Sequence, residues 1–268
     1  IGGGDDRRGG RLDKAQEDLT AVLEVRPNSH EAHYFLSKIH QARKDLRLQR
    51  QELDEALRIE PTYLNARLEM AQSMLQSENP GSALDVLNEA PAEQENTIPI
   101  LAAKVWAYIA MKRFDDARKT LDSIPQEQRD AAEFNLQEGV LRSEAGDYPG
   151  AQTFLKRALE QSPQDLRVLN AYAGTYLVQK QMGRALEVVR QQAEQFPGNS
   201  RLQLALAAWY ERASYQDEAR AAYRAAVKAG DTTGEAAIMT ARLDAAEGNH
   251  DQAVATLEDL LSRSPRNL

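Results

Sequence analysis

The 268-residue chain contains no cysteine. That excludes disulfides, a thiol nucleophile and a thiolate metal site, and it leaves a reducing cytoplasm and an oxidising periplasm equally open. No run of about 18 apolar residues occurs, so no stretch reads as a bilayer-spanning helix. Basic residues are outnumbered, 33 against 41 acidic, for a net charge of −8. The deficit argues against a nucleic-acid backbone as partner, which calls for a basic stripe.

Chemistry-bearing residues are also scarce. Of the four histidines, His30 and His33 flank Glu31 with a spacing of three. A zinc-protease helix needs two histidines four apart with glutamate next to the first, so these are expected as exposed residues near a helix start. Gly4 and Gly9 are spaced as in a phosphate loop, but Gly10-Arg11 stands where lysine and a hydroxyl residue are required, and no strand precedes them. Asp115-Asp116 fall at a helix start, where carboxylates complement the macrodipole. No carboxylate is placed by the sequence in an apolar cleft. The reading is of a non-enzyme with no catalytic residue, cofactor or metal.

What is present is a repeat. Around Gly146-Asp147-Tyr148-Pro149-Gly150-Ala151 the chain matches itself in steps of 34 without insertion. Ala151 maps to Ala15, Gln49, Ala83, Ala117, Ala185, Ala219 and Ala253. Leu155 maps to Leu19, Leu53, Leu87, Leu121, Val189, Tyr223 and Leu257, all apolar. Pro163 maps to Pro27, Pro61, Pro197 and Pro265, and to Glu95, Arg129 and Asp231 at the other steps. A fixed period of this length means a stacked array of supersecondary units. A small residue lets helices cross closely, a large apolar residue one turn on fills the gap, and proline ends the helix. Each unit is therefore a helical hairpin, with Gly146 closing the first helix and Pro149 near the start of the second.

These residues resemble the tetratricopeptide repeat family. The unit from Ser200 carries Leu206-Ala207, Tyr210, Ala219, Tyr223 and Ala226; the unit from Ala132 carries Gly139, Tyr148, Ala151, Leu155, Ala158 and Pro163. The resemblance implies an all-α fold, a right-handed α-solenoid of antiparallel hairpins. Seven units are expected, covering 30–267 and starting at His30, Leu64, Ile98, Ala132, Leu166, Ser200 and Gly234. Before them, 12–29 (Ala15, Leu19, Val22, Pro27) read as the second helix of a truncated repeat. Residues 1–11 read as a flexible glycine-rich segment, with neither a starting methionine nor a signal-peptide core, as in a fragment of a longer chain. In the units from Leu64 and Ile98, proline arrives early as Pro91 and Pro125, so their second helices are expected to be about one turn short, followed by polar loops over 92–97 and 126–130.

The resemblance also implies a role and a face: a protein-interaction scaffold or adaptor that binds peptide segments or proteins in the concave groove formed by the first helices. Bacterial members of this look imply assembly, secretion or recruitment of an envelope complex. An alternative is the substrate-recruiting region of a larger enzyme; another is a self-assembling structural protein that associates through uncapped terminal repeats. The family's groove positions fall here on Tyr34, Lys38, Leu68, Gln72, Trp106, Ile109, Leu136, Arg167, Asn170, Leu177, Arg201, Leu204, Arg212 and Arg242. Trp106 is the foremost anchor, and the arginines suit acidic flanks. Trp209 is expected between helices. A chaperone-type carboxylate clamp, with lysine at the fifth position and asparagine at the ninth, is absent: the fifth positions are Tyr34, Leu68, Ala102, Leu136, Asn170, Leu204 and Ile238.

Overall fold

The computed structural model describes residues 5–263. Residues 1–4 and the tail from 264, including Pro265, lie outside the described residues. Among those described there are fifteen α-helices, one short 3-10 turn and no strand. The chain divides into two compact units at Asp130/Ala131.

The first unit holds α1 (Asp5–Val25), α2 (His30–Ala42), α3 (Leu46–Ile59), α4 (Leu64–Gln76), α5 (Pro80–Asn88), α6 (Ile98–Ala110) and α7 (Phe114–Asp122). The second holds α8 (Ala132–Glu144), α9 (Tyr148–Gln161), α10 (Leu166–Val178), α11 (Met182–Gln195), α12 (Ser200–Arg212), α13 (Gln216–Lys228), α14 (Glu235–Ala246) and α15 (His250–Arg263). Within each unit every helix packs on the next, and the first helices α4 and α6, and likewise α8 and α10, also touch directly.

The core follows the two columns of the repeat. Ala83, Ala117, Ala151, Ala185 and Ala219 are fully buried, as are Leu53, Leu87, Leu155 and Val189. Gln49, the one polar member of the alanine column, is 1% exposed. Burying each large side chain contributes roughly 1.5–3 kcal/mol. The alanines set how closely the helices approach, and Gly139 shows the tightest case: a Cβ there would lie 2.5 Å from Leu155 Cγ.

Each hairpin turn is made in the same way. Lys44, Glu78, Lys112, Gly146, Lys180, Ser214 and Gly248 all have positive φ, between 54° and 84°. They recur every 34 residues. The next residue's N–H donates back into the preceding helix, as Asp147 N–H does to the Arg142 carbonyl at 2.9 Å and Gln181 N–H to the Tyr176 carbonyl at 2.9 Å. This is a left-handed cap that satisfies the orphan carbonyls of the first helix. Asp45, Asn79 and Asp147 then cap the second helix through their side chains.

The early prolines act as expected. Helices α5 and α7 are each nine residues long, against fourteen for α3, α9 and α11. The segment after Pro125 forms a 3-10 turn over Gln126–Gln128 instead of an open loop. At the start, α1 begins at Asp5, so residues 5–11 lie within a helix, and the helix ends at Val25, ahead of Pro27. In the last hairpin Gly234, with φ 77°, precedes the helix, which starts at Glu235.

Buried polar side chains tie helices together at the fourth residue of several first helices. Arg67 is 3% exposed and donates to the Val86 carbonyl at 2.7 Å and the Pro61 carbonyl at 2.9 Å. Desolvation by burial lowers its pKa from the ordinary arginine value. Asn135 reaches Gln161 at 3.1 Å, and Gln203 reaches the Ala193 carbonyl at 2.9 Å. His33 occupies the same place in α2, 2.7 Å from Glu52 of α3 with 15% of its side chain exposed. It is thus a half-buried helix tie and not the exposed residue expected from its position near a helix start.

Candidate functional site

In the first unit the candidate side chains lie on α2, α4 and α6. Glu69 of α4 gathers two of them: it accepts from Lys38 Nζ at 2.7 Å and from the Tyr34 hydroxyl at 3.5 Å. The Tyr34 ring stands edge-on to Phe35 and Tyr63, at 5.7 and 5.2 Å between centroids. Burial, and then the neighbouring Glu69 charge, push the Tyr34 phenol above its usual pKa. Leu68 is partly buried against the cluster of Ala71, Ala83, Leu87, Ala90 and Ile100. Trp106 and Ile109 are half-buried, and Gln72 is exposed. Phe35, which the groove pattern does not single out, is 53% exposed.

In the second unit the candidates lie on α8, α10, α12 and α14. Leu136 is 1% exposed and cannot serve as a contact residue. Helix α8 packs against both α9 and α10 and is buried around most of its girth, with Phe134, Asn135, Leu136, Gln137, Gly139 and Leu141 all inside. Leu177 and Leu204 are half-buried, whereas Arg167, Asn170, Arg201, Arg212 and Arg242 are exposed.

The arginines are not equivalent. Arg167 pairs with Asp165 at 2.7 Å and with Glu133 of α8 at 3.1 Å. The hydrogen bond to Asp165 is the main cause that raises its pKa. Arg242 pairs with Glu211 of α12, which also accepts from the Tyr223 hydroxyl at 2.6 Å. Arg212 lies over the indole of Trp209, its guanidinium carbon 5.3 Å from the ring centroid. Trp209 is 7% exposed, packed between helices as its position implies, and its Nε1–H donates to Asn170 Oδ1 of α10 at 3.0 Å. This Asn170–Trp209–Arg212 chain and the Glu69 cluster are not legible from groove positions alone. The indole sits at a position expected to pack between helices, and Glu69 is not among the groove positions.

Among the described residues no group of three or more His, Cys, Asp or Glu is arranged to hold a metal ion, and no helix is long and apolar enough to cross a membrane. What the exposed first-helix faces offer is a set of fixed side chains for polar and apolar contact with another polypeptide. Stacked helical hairpins with such faces define a repeat-built interaction protein.

The chain belongs to the tetratricopeptide repeat family. Two Tetratricopeptide repeat family models match it, one at residues 50–106 and 143–209 and the other at residues 5–63. It is 28% identical over 195 residues to Tetratricopeptide repeat protein 37 of Xenopus laevis, covering 70% of this chain and 12% of that protein's length. Among solved structures it is similar to a tetratricopeptide repeat protein from Parabacteroides merdae, with TM-score 0.66, 16% identity and coverage of 89% of this chain and 94% of the other. It is also similar to a thermophilic TPR protein in Thermus thermophilus, with TM-score 0.59, 20% identity and coverage of 68% and 98%. The APC/C hetero-tetramer Cut9–Hcn1 gives TM-score 0.61, 12% identity and coverage of 88% and 46%. At these identities the solved structures establish the fold, that of TPR solenoids. The family assigns the chain the role of a protein–protein interaction scaffold, in a family that is generally non-catalytic.

Proposed function

We propose that the chain binds extended segments of partner proteins along the exposed faces of its first helices, and so brings those partners together in a larger assembly. The observation that carries this reading is the exposure of Arg167, Asn170, Arg201, Arg212 and Arg242 along α10, α12 and α14, while the core beneath is closed by the alanine and leucine columns. A preformed surface of this kind costs little ordering on the scaffold side, so many modest contacts add up to useful affinity. Lys38 and Tyr34 extend the same reading to the first unit. Recruitment into a cell-envelope complex is the process we infer for it, by analogy with bacterial members of the family.

Selection of a displayed random-peptide library on the intact chain tests this. Enriched peptides should lose binding when Arg201, Arg212 and Arg242 are together replaced by glutamate, with helical circular dichroism unchanged. Enrichment that ignores those substitutions, or no enrichment, contradicts the reading.

A second reading, association with another copy, draws on α15, where Val254 and Leu261 are 54% and 41% exposed. Light scattering over a concentration series should then show growth in mass that Val254→Lys abolishes. A constant monomer mass contradicts it.

A further inference from the structure

We propose that the second unit holds an anchoring point for an acidic segment: a carboxylate of the bound chain is held between Arg212 and the side-chain amide of Asn170, and the segment's backbone runs over Gly174. This rests on the scaffold reading above and names the chemistry of one of its sites.

An indole N–H can only donate, so the bond of 3.0 Å between Trp209 Nε1 and Asn170 Oδ1 fixes which way the amide faces. The Asn170 NH2 group is thereby turned away from the indole, and among the described residues no hydrogen bond engages it. The same indole holds Arg212 by its face, with 5.3 Å from the guanidinium carbon to the ring centroid. A guanidinium stacked in this way keeps its N–H edges directed outward and loses little freedom on binding. Because Trp209 is 7% exposed, it forms a rigid clamp that carries both groups. Two outward-facing donor groups carried by one indole, one of them charged, match a carboxylate. A basic or purely apolar ligand would leave both donors unmatched.

The surface beside them has room. Gly174 lies one turn beyond Asn170 on α10, and a Cβ built there would meet nothing within 4 Å. A peptide backbone can therefore approach the helix closely at this point. One turn further, Val178 is 62% exposed and offers an apolar contact next to the charged one. Arg167, on the same helix, is already engaged by Asp165 and Glu133 and takes no part. The net charge of −8 does not oppose the proposal, because charge is screened within about 8–10 Å and the local arginine decides the sign.

Fluorescence anisotropy of three labelled short peptides, alternating valine with glutamate, glutamine or lysine, provides the test. The glutamate peptide should bind the intact chain at least about tenfold more tightly than the glutamine peptide, as for a charge-assisted contact against a neutral one. Arg212→Gln should erase that difference. Gly174→Leu should block the glutamate peptide while the melting temperature holds or rises, because it exchanges a helical glycine for a better helix former in open space. Equal binding of the glutamate and glutamine peptides, or no binding of the glutamate peptide, overturns the proposal. So does tight glutamate-peptide binding that survives both substitutions, and that outcome leaves the scaffold reading standing. Failure of the intact chain to enrich any displayed peptide would overturn both.

Discussion

Replacing Lys180 by glycine should stabilise the protein although it deletes a side chain. Lys180 follows the C-cap of α10 with φ 60°, is exposed, and sits at the position that Gly146 and Gly248 occupy in other hairpins. A residue with a Cβ pays roughly 1–2 kcal/mol to enter the left-handed region. Glycine enters it freely but loses about 0.5–1 kcal/mol more chain entropy on folding. The difference leaves a gain of about 0.5–1 kcal/mol for Lys180→Gly, and a loss of similar size for Gly146→Ala. The same argument holds for Lys44, Glu78, Lys112 and Ser214, which are likewise exposed. These turns are separated by whole hairpins, so the five substitutions should add to roughly 2.5–5 kcal/mol. Urea denaturation followed by circular dichroism reads this as a rise in midpoint at unchanged slope. Ala208→Gly, at an exposed site inside α12, supplies the opposite control and should cost about 1 kcal/mol. If Lys180→Gly lowers the midpoint as Ala208→Gly does, the left-handed cap is not what shapes these turns.

Gly139→Ala should destabilise by about 1–3 kcal/mol, because its Cβ would lie 2.5 Å from the fully buried Leu155. Leu155→Ala alone should cost roughly 2–5 kcal/mol; the loss in the double variant should be smaller than the sum of the two single losses, as a double-mutant cycle in thermal denaturation would reveal. Arg67→Lys should behave nearly as badly as Arg67→Ala in the same assay, since one ammonium cannot serve both the Val86 and Pro61 carbonyls that the guanidinium fork reaches. Asp147 is held below the usual carboxylate pKa, first by its hydrogen bond with Arg142 and then by the Gly150 N–H. Its capping contribution should therefore be complete above the ordinary aspartate pKa and be lost as pH falls through the lower folded value. Asp147→Asn should flatten that acid limb in melting temperature against pH, and an unchanged limb would contradict the assignment.

Much of the fold was legible because packing and periodicity are written in the same residues. The alanine column from Gln49 to Ala253 and the leucine column from Leu53 to Tyr223 are buried where the register places them, and Pro91 and Pro125 shorten α5 and α7. The left-handed turn was legible only at glycines. Lys44, Lys112 and Lys180 carry no propensity for it; the geometry of two antiparallel helices joined by so short a turn imposes it on them. Polar ties such as Arg67 to the Val86 carbonyl were invisible, since charged residues in a sequence read as surface. At the candidate site, position in the unit identified the exposed arginines but could not separate Arg212, seated on an indole, from Arg167, engaged by two carboxylates. It also misplaced Leu136, because whether the fifth residue of a first helix faces outward depends on what packs around that helix. In α8 the flanking helices enclose it.

The central claim is that exposed first-helix faces hold a partner's chain, and amide hydrogen exchange on the intact protein with a library-selected peptide bound tests it most directly. The account predicts slowed exchange confined to first helices, with α10 and α12 among them. Slowing confined to second helices such as α9, α11 and α13, with the first helices unaffected, would contradict it.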